Sequence, residues 1–132
     1  MRSSVLDSYA VLAYLSRERG HKTVVALLEK AAESGKNVFI AASNWAEVRY
    51  QVQRKTSSAR WDEVREKLLA LPIEVVPATQ DLAELAGAIK ADRKMSLAGC
   101  FAAALAQVHK SDVYTGDPEF KTVEGEIKIV WL

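Results

Sequence analysis

Short apolar runs and longer stretches of helical period alternate along the whole chain, and this alternation sets the expected architecture before any single residue is weighed. Five runs are brief, largely apolar and flanked by turn chemistry: Ser4–Leu6, residues 37–40, Ile73–Val76, Asp112–Thr115 and residues 128–132. Their length and flanks mark them as strands, the first four as buried ones. Between them, six stretches repeat apolar side chains at the spacing of a helix face: residues 9–19, 23–33, 44–54, 59–71, Gln80–Asp92 and Leu97–His109. In the last of these, Leu97, Phe101, Leu105 and Val108 share a stripe at i, i+4, i+8 and i+11, which is expected to pack on the sheet. Strands interspersed with helices predict an α/β fold, a central and mostly parallel sheet of about five strands covered by helices on both faces. No internal repeat or Pro/Gly-rich linker splits the chain, so residues 1–132 are expected to form one domain.

Composition narrows the classes. A chain of 132 residues that is 49% hydrophobic can bury a core without disulfides or a structural metal. Its 18 basic and 17 acidic side chains leave a net charge of +1, so no global field announces a nucleic-acid binder and any such surface must be local. Arg49, Arg54, Lys55 and Arg60, with Lys90, Arg93 and Lys94 before the last helix, are the candidates, and each reads equally as part of a solvated face. The single cysteine, Cys100, excludes an internal disulfide and reads as a small buried side chain, with a reducing cytoplasm as the expected compartment. The first residues reach Asp7 before any run long enough for a signal peptide, and no stretch approaches the roughly 20 apolar residues of a membrane span, so neither secretion nor insertion is expected. His21 and His109 lack a partner at metal-ligand spacing and read as structural or surface residues.

In doubly wound sheets ligands gather outside the carboxyl ends of the strands, which directs attention to acids just after strands. Asp7 follows Val5 and Leu6 and precedes a helix; Asp117 follows the strand ending at Thr115. Each has a structural alternative: Asp7 as a helix N-cap, and Asp117 as the cap of a short helix opened by Pro118. Glu47 lies at the margin of an apolar stripe formed by Ala41, Trp45, Val48 and Val52, where Asn44 and Glu47 also resemble a capping box. Tyr9, Tyr14, Trp45 and Tyr50 can serve the core or a partner groove.

Four blocks, taken in order, resemble the PIN-domain ribonucleases, and in particular the VapC-type toxins of VapBC toxin and antitoxin pairs. Val5-Leu6-Asp7-Ser8 is similar to the family's opening strand and first acid, Asn44-Trp45-Ala46-Glu47-Val48 to its second, and Val113-Tyr114-Thr115-Gly116-Asp117-Pro118-Glu119-Phe120 to its last. The segment Met95-Ser96-Leu97-Ala98-Gly99-Cys100-Phe101-Ala102-Ala103-Ala104-Leu105-Ala106 is the most recognisable. The resemblance spans essentially the whole chain and departs at one place: the family has an Asp where this sequence has Gly99. Helix propensity does not explain that glycine, which costs about 1 kcal/mol relative to Ala within a helix.

The resemblance implies a metal-dependent endoribonuclease, the toxin of a toxin-antitoxin pair, impaired by Gly99. Asp7, Glu47 and Asp117 would be the catalytic acids and would hold Mg²⁺ or Mn²⁺, with Glu119 as a further ligand or a helix-start glutamate. Ser8 and Thr115 would orient water or a carboxylate. RNA, an antitoxin protein and a homodimer partner are the implied partners. The alternative is an inactive PIN-like module that binds RNA or protein. Hard cations favour carboxylate oxygens and water, and converging carboxylates repel one another without a cation, so at least one of the acids should have a raised pKa in the metal-free protein. A receiver domain would need paired acids after the first strand, and a dehalogenase-type phosphatase a second Asp where Tyr9 stands. Neither reading survives.

Overall fold

A computed structural model describes residues 2–132. Five strands, β1 (Ser4–Leu6), β2 (Val38–Ala41), β3 (Ile73–Val76), β4 (Asp112–Thr115) and β5 (Ile129–Trp131), form one sheet in the order β3-β2-β1-β4-β5, with every pairing parallel. Parallel neighbours need crossover connections, and six helices supply them: α1 (Ser8–Ser16), α2 (His21–Ser34), α3 (Ala42–Lys55), α4 (Ser58–Leu69), α5 (Gln80–Asp92) and α6 (Leu97–His109). A 3-10 helix, Pro118–Val123, follows β4. The α/β expectation and the predicted bounds of β1, β3, β4, α5 and α6 match the structure, and β2, β5 and α1 to α4 differ at their ends by a few residues.

Alternation along the strands feeds two cores. Val5, Ala41 and Val113 face α5, α6 and the 3-10 helix, packing with Ile89, Met95 and Phe120. Leu6, Val38 and Ile40 face α1 to α4, packing with Val11, Leu28 and Trp61. Strands covered on both faces carry apolar residues at successive positions, which is why β1, β2 and β4 lack a polar alternation.

Two packing expectations need correction. In α6 the stripe at Leu97, Phe101, Leu105 and Val108 is buried only in its middle: Leu105 is buried and Phe101 packs on the core, but Leu97 is 52% and Val108 59% exposed. The rest of the buried face is Cys100, Ala102, Ala103, Ala104 and Ala106, because small side chains let this helix lie close to the sheet between α3 and α5. β3 was expected to be a buried strand, yet it is half-buried with Glu74 exposed, since the strand order makes it an edge. Edge strands tolerate polar residues because one side of the ladder meets water.

Candidate functional site

β1 and β4 are neighbours in the sheet although their sequences are more than a hundred residues apart, pairing Ser4 with Asp112, Val5 with Val113 and Leu6 with Tyr114. The strand order runs outward in opposite directions from this pair, so the carboxyl ends of β1 and β4 flank the topological switch point where α/β sheets bind ligands. Continuing the register past Leu6 and Tyr114 brings Asp7 level with Thr115.

Asp7 is the N-cap of α1, its Oδ1 accepting a 2.9 Å hydrogen bond from the Ala10 N–H. It also accepts from the Thr115 hydroxyl through Oδ2. The capping role and the place at the sheet edge therefore coexist. Thr115 is fully buried, and its Oγ1 accepts from the Asp117 N–H at 3.0 Å, so one hydroxyl fixes two acids. Asp117 caps the 3-10 helix, its Oδ1 accepting from the Glu119 N–H at 3.0 Å. Ser8 ties in the third acid by donating to Glu47 Oε1 at 2.9 Å, and the Tyr50 hydroxyl lies 3.5 Å from Glu47 Oε2.

The Asn44 and Glu47 capping box is not what forms. α3 starts earlier, with Ala41 at the cap position and no side-chain cap bond, and the Glu47 carboxylate turns to Ser8 and Tyr50. Asn44 is buried in the first turn, its Oδ1 without a hydrogen-bond partner among the described residues. Nothing in the local sequence distinguishes such an Asn from a cap.

Electrostatics link the three acids. Asp7 is 3% exposed, and its pKa is raised from 3.8 to about 7. Burial is the largest cause; the Thr115 and Ala10 hydrogen bonds oppose it, and the charges of Asp117 and Glu47 push further upward. A raised pKa was the expectation, but desolvation rather than mutual repulsion leads.

Gly99 is the third residue of α6, buried, with its N–H donated to the Ser96 hydroxyl at 3.1 Å. Its backbone is ordinary helix, and an added Cβ would lie 3.1 Å from Ser96 Oγ and 3.4 Å from Met95 Cε, a tight fit rather than a blocked one. The position does not require glycine. Glu119 stands at the same place from another direction, its Oε2 accepting from the Ser96 N–H at 3.2 Å, which puts a negative charge at the positive end of α6.

Several other candidates have structural partners. Lys90 donates to the Met95 carbonyl at 2.7 Å, Arg93 pairs with Glu126, and Arg60 pairs with Glu63 at 2.7 Å. Arg49 bonds Gln53 on α3, and the Arg54 guanidinium lies over the Tyr50 ring. His21 stacks on Tyr14 and meets its carbonyl, while His109 stacks on Phe39, in keeping with structural roles. Burial pushes the Cys100 thiol pKa up, as suits an unreactive core residue.

Among the described residues no three His, Cys, Asp or Glu side chains stand close enough to hold a metal ion together. The edge nevertheless offers only oxygen donors, with a buried carboxylate whose charge is poorly solvated. That donor chemistry fits a hard cation that keeps most of its water, as Mg²⁺ does, better than one in a closed protein cage.

A parallel sheet that gathers acids from three separate segments at its switch point defines an α/β domain with a candidate site at the carboxyl edge. The chain belongs to the PIN domain family, whose model matches residues 4–126. Among solved structures it is similar to a toxin-antitoxin complex from Klebsiella pneumoniae, at 22% identity over 97% of this chain and 96% of that one, with a TM-score of 0.70. It is also similar to VapBC2 from Rickettsia felis bound to a promoter DNA fragment, at 14% identity over 96% of each chain and a TM-score of 0.76. A third is VapC20 from Mycobacterium tuberculosis, a sarcin-ricin loop cleaving toxin, at 17% identity over 92% of this chain and 95% of that one, TM-score 0.71. At these identities the likeness is one of fold. No curated protein sequence matches the chain.

Proposed function

We propose that this chain is a toxin-type ribonuclease that hydrolyses RNA phosphodiesters at the carboxyl edge of its sheet, weakened by the missing side chain at Gly99. The observation that carries the reading is Asp7, buried and held by Thr115, with the charges of Asp117 and Glu47 acting on it. Family membership and the toxins among its structural relatives support it.

Asp7, Glu47 and Asp117 would hold Mg²⁺ or Mn²⁺, directly or through water, with Glu119 in reserve beside Gly99. When bound, such an ion supplies charge stabilisation to the phosphodiester and lowers the pKa of the attacking water. The chain's own part is placement. Thr115 fixes Asp7 and Asp117 relative to one another, Ser8 holds the Glu47 carboxylate toward the same edge, and burial keeps Asp7 short of compensating solvent. The raised Asp7 pKa means that without a cation its carboxyl is partly protonated near neutrality.

Restoring the family residue tests this directly. Gly99→Asp is expected to strengthen Mg²⁺ or Mn²⁺ binding, measured by calorimetric titration, and to raise cleavage of a labelled RNA; adding Asp7→Asn should abolish the gain while an amide still caps α1. Unchanged affinity and cleavage on Gly99→Asp would refute the mechanism. The same substitution discriminates the second reading, an inactive PIN-like binding module, for which the absent Gly99 carboxylate is the specific argument. An antitoxin would dock in the groove between α1, α3 and α4, where Leu12, Leu15, Val52 and Val64 are rimmed by polar residues including Glu18, Lys55 and Arg60. The relatives from Klebsiella and Rickettsia are solved as toxin-antitoxin assemblies, which supports a partner of that kind.

A further inference from the structure

Two tyrosines stand at the rim of the acidic edge. Tyr9, two residues beyond Asp7, lies in the first turn of α1 with its ring against Gly116, next to Asp117. Tyr50 lies one turn beyond Glu47 on α3, its hydroxyl directed at that carboxylate. Tyr9 is 39% and Tyr50 42% exposed, whereas Trp45 packs edge-on against Trp61 and Tyr14 joins the core around α1. Burial is the common use of an aromatic ring, so two exposed rings beside one set of carboxylates are not explained by the core.

The chain also makes room for them. A Cβ at Gly116 would collide with the Tyr9 ring, so that close approach requires glycine in the turn between Thr115 and Asp117. The Arg54 guanidinium carbon lies 5.0 Å from the Tyr50 ring centroid, a cation-backed aromatic surface.

Charge limits how else a polyanion is held. The net charge of +1 gives no global attractive field, and Arg60 and Arg93 are ion-paired, so charge alone does not account for holding a strand at this edge. Stacking is the other large contribution for single strands, about 1–3 kcal/mol per base, and it tolerates any sequence. Bases inside a duplex are stacked on one another and offer no free face.

Resting on the ribonuclease reading, we propose that Tyr9 and Tyr50 are stacking platforms, each holding one base of the RNA on either side of the acidic edge. Tyr9 positions the strand over the Thr115 to Asp117 turn, and Tyr50 positions it over Glu47. A flexible, unpaired backbone can then lower its phosphate toward the recessed Asp7.

Fluorescence anisotropy in EDTA separates binding from cleavage, using a labelled unstructured RNA and a blunt RNA duplex of equal length as probes. The unpaired strand is expected to bind more tightly. Tyr9→Ala and Tyr50→Ala should each reduce its affinity about 5- to 100-fold, while Tyr9→Phe and Tyr50→Phe, which keep the ring face, should bind as the parent does. Tyr9→Leu and Tyr50→Leu keep apolar bulk without a ring and carry the test where an alanine variant fails to fold, as judged by thermal melting. Equal affinity for strand and duplex, Ala and Leu variants that bind normally, or Phe variants as weak as Ala would overturn the stacking assignment and leave the ribonuclease reading standing. A parent protein that binds neither RNA would also overturn the stacking assignment, whereas the ribonuclease reading is decided by the cleavage assay on Gly99→Asp.

Discussion

Asp7 caps a helix, accepts a hydroxyl and lies in the field of two further carboxylates, and the sum of these effects sets its titration. Its pKa of about 7 lies above the 3.8 of a free side chain, so the folded state holds more protons than the unfolded chain between these values and stability falls as pH rises through that window. Above pH 7 the penalty is constant, at most about 4 kcal/mol. Asp7→Asn should therefore melt higher than the parent at pH 8 and converge with it near pH 4, which scanning calorimetry can check. The causes are separable by NMR titration of Asp7. Thr115→Val removes a bond that lowers the pKa and should raise it further; Asp117→Asn removes a like charge and should lower it. Shifts in the reverse directions would contradict the assigned causes. At this scale the sequence displayed each acid but could not separate a cap from a place at the sheet's carboxyl edge, because Asp7 and Asp117 have both.

The elements show where helical periodicity succeeds and where it misleads. The bounds of α5 and α6 are readable because Thr79 and Ser96 each cap a helix through a side-chain oxygen, a local signal. The buried face of α6 is not, since hydrophobicity ranks Leu97 and Val108 above alanine while packing distance favours alanine. Ala103→Leu should consequently destabilise the protein by about 1–3 kcal/mol through overpacking. Leu97→Ala, at an exposed position, should cost no more than about 0.5 kcal/mol. Urea denaturation midpoints for the two variants would expose an inverted ranking. In α3 the Asn44 and Glu47 pair imitates a capping box, and only the helix starting at Ala42 shows that the Glu47 carboxylate is available to Ser8.

At the scale of the whole molecule, a near-neutral chain brings Asp7, Glu47 and Asp117 to one edge and carries, between α1, α3 and α4, a groove with an apolar floor and a polar rim. Self-association is expected from the family resemblance, with light scattering of the free chain giving twice the 14.5 kDa chain mass. A monomer at high concentration would count against it. Among the described residues no helix is long and apolar enough to cross a membrane.

The sequence alone determined the run of strands and helices, the class of fold, and which acids fall at strand ends, because periodicity, caps and turn residues act over a few neighbours. Only the tertiary structure decided that β1 lies beside β4, that β3 becomes an edge, and that Glu119 meets the start of α6 beside Gly99. Strand order is set by how helices from distant segments cover both faces of the sheet, a condition no local window contains. The same closure buries Asp7, and burial rather than residue type is the largest cause of its raised pKa.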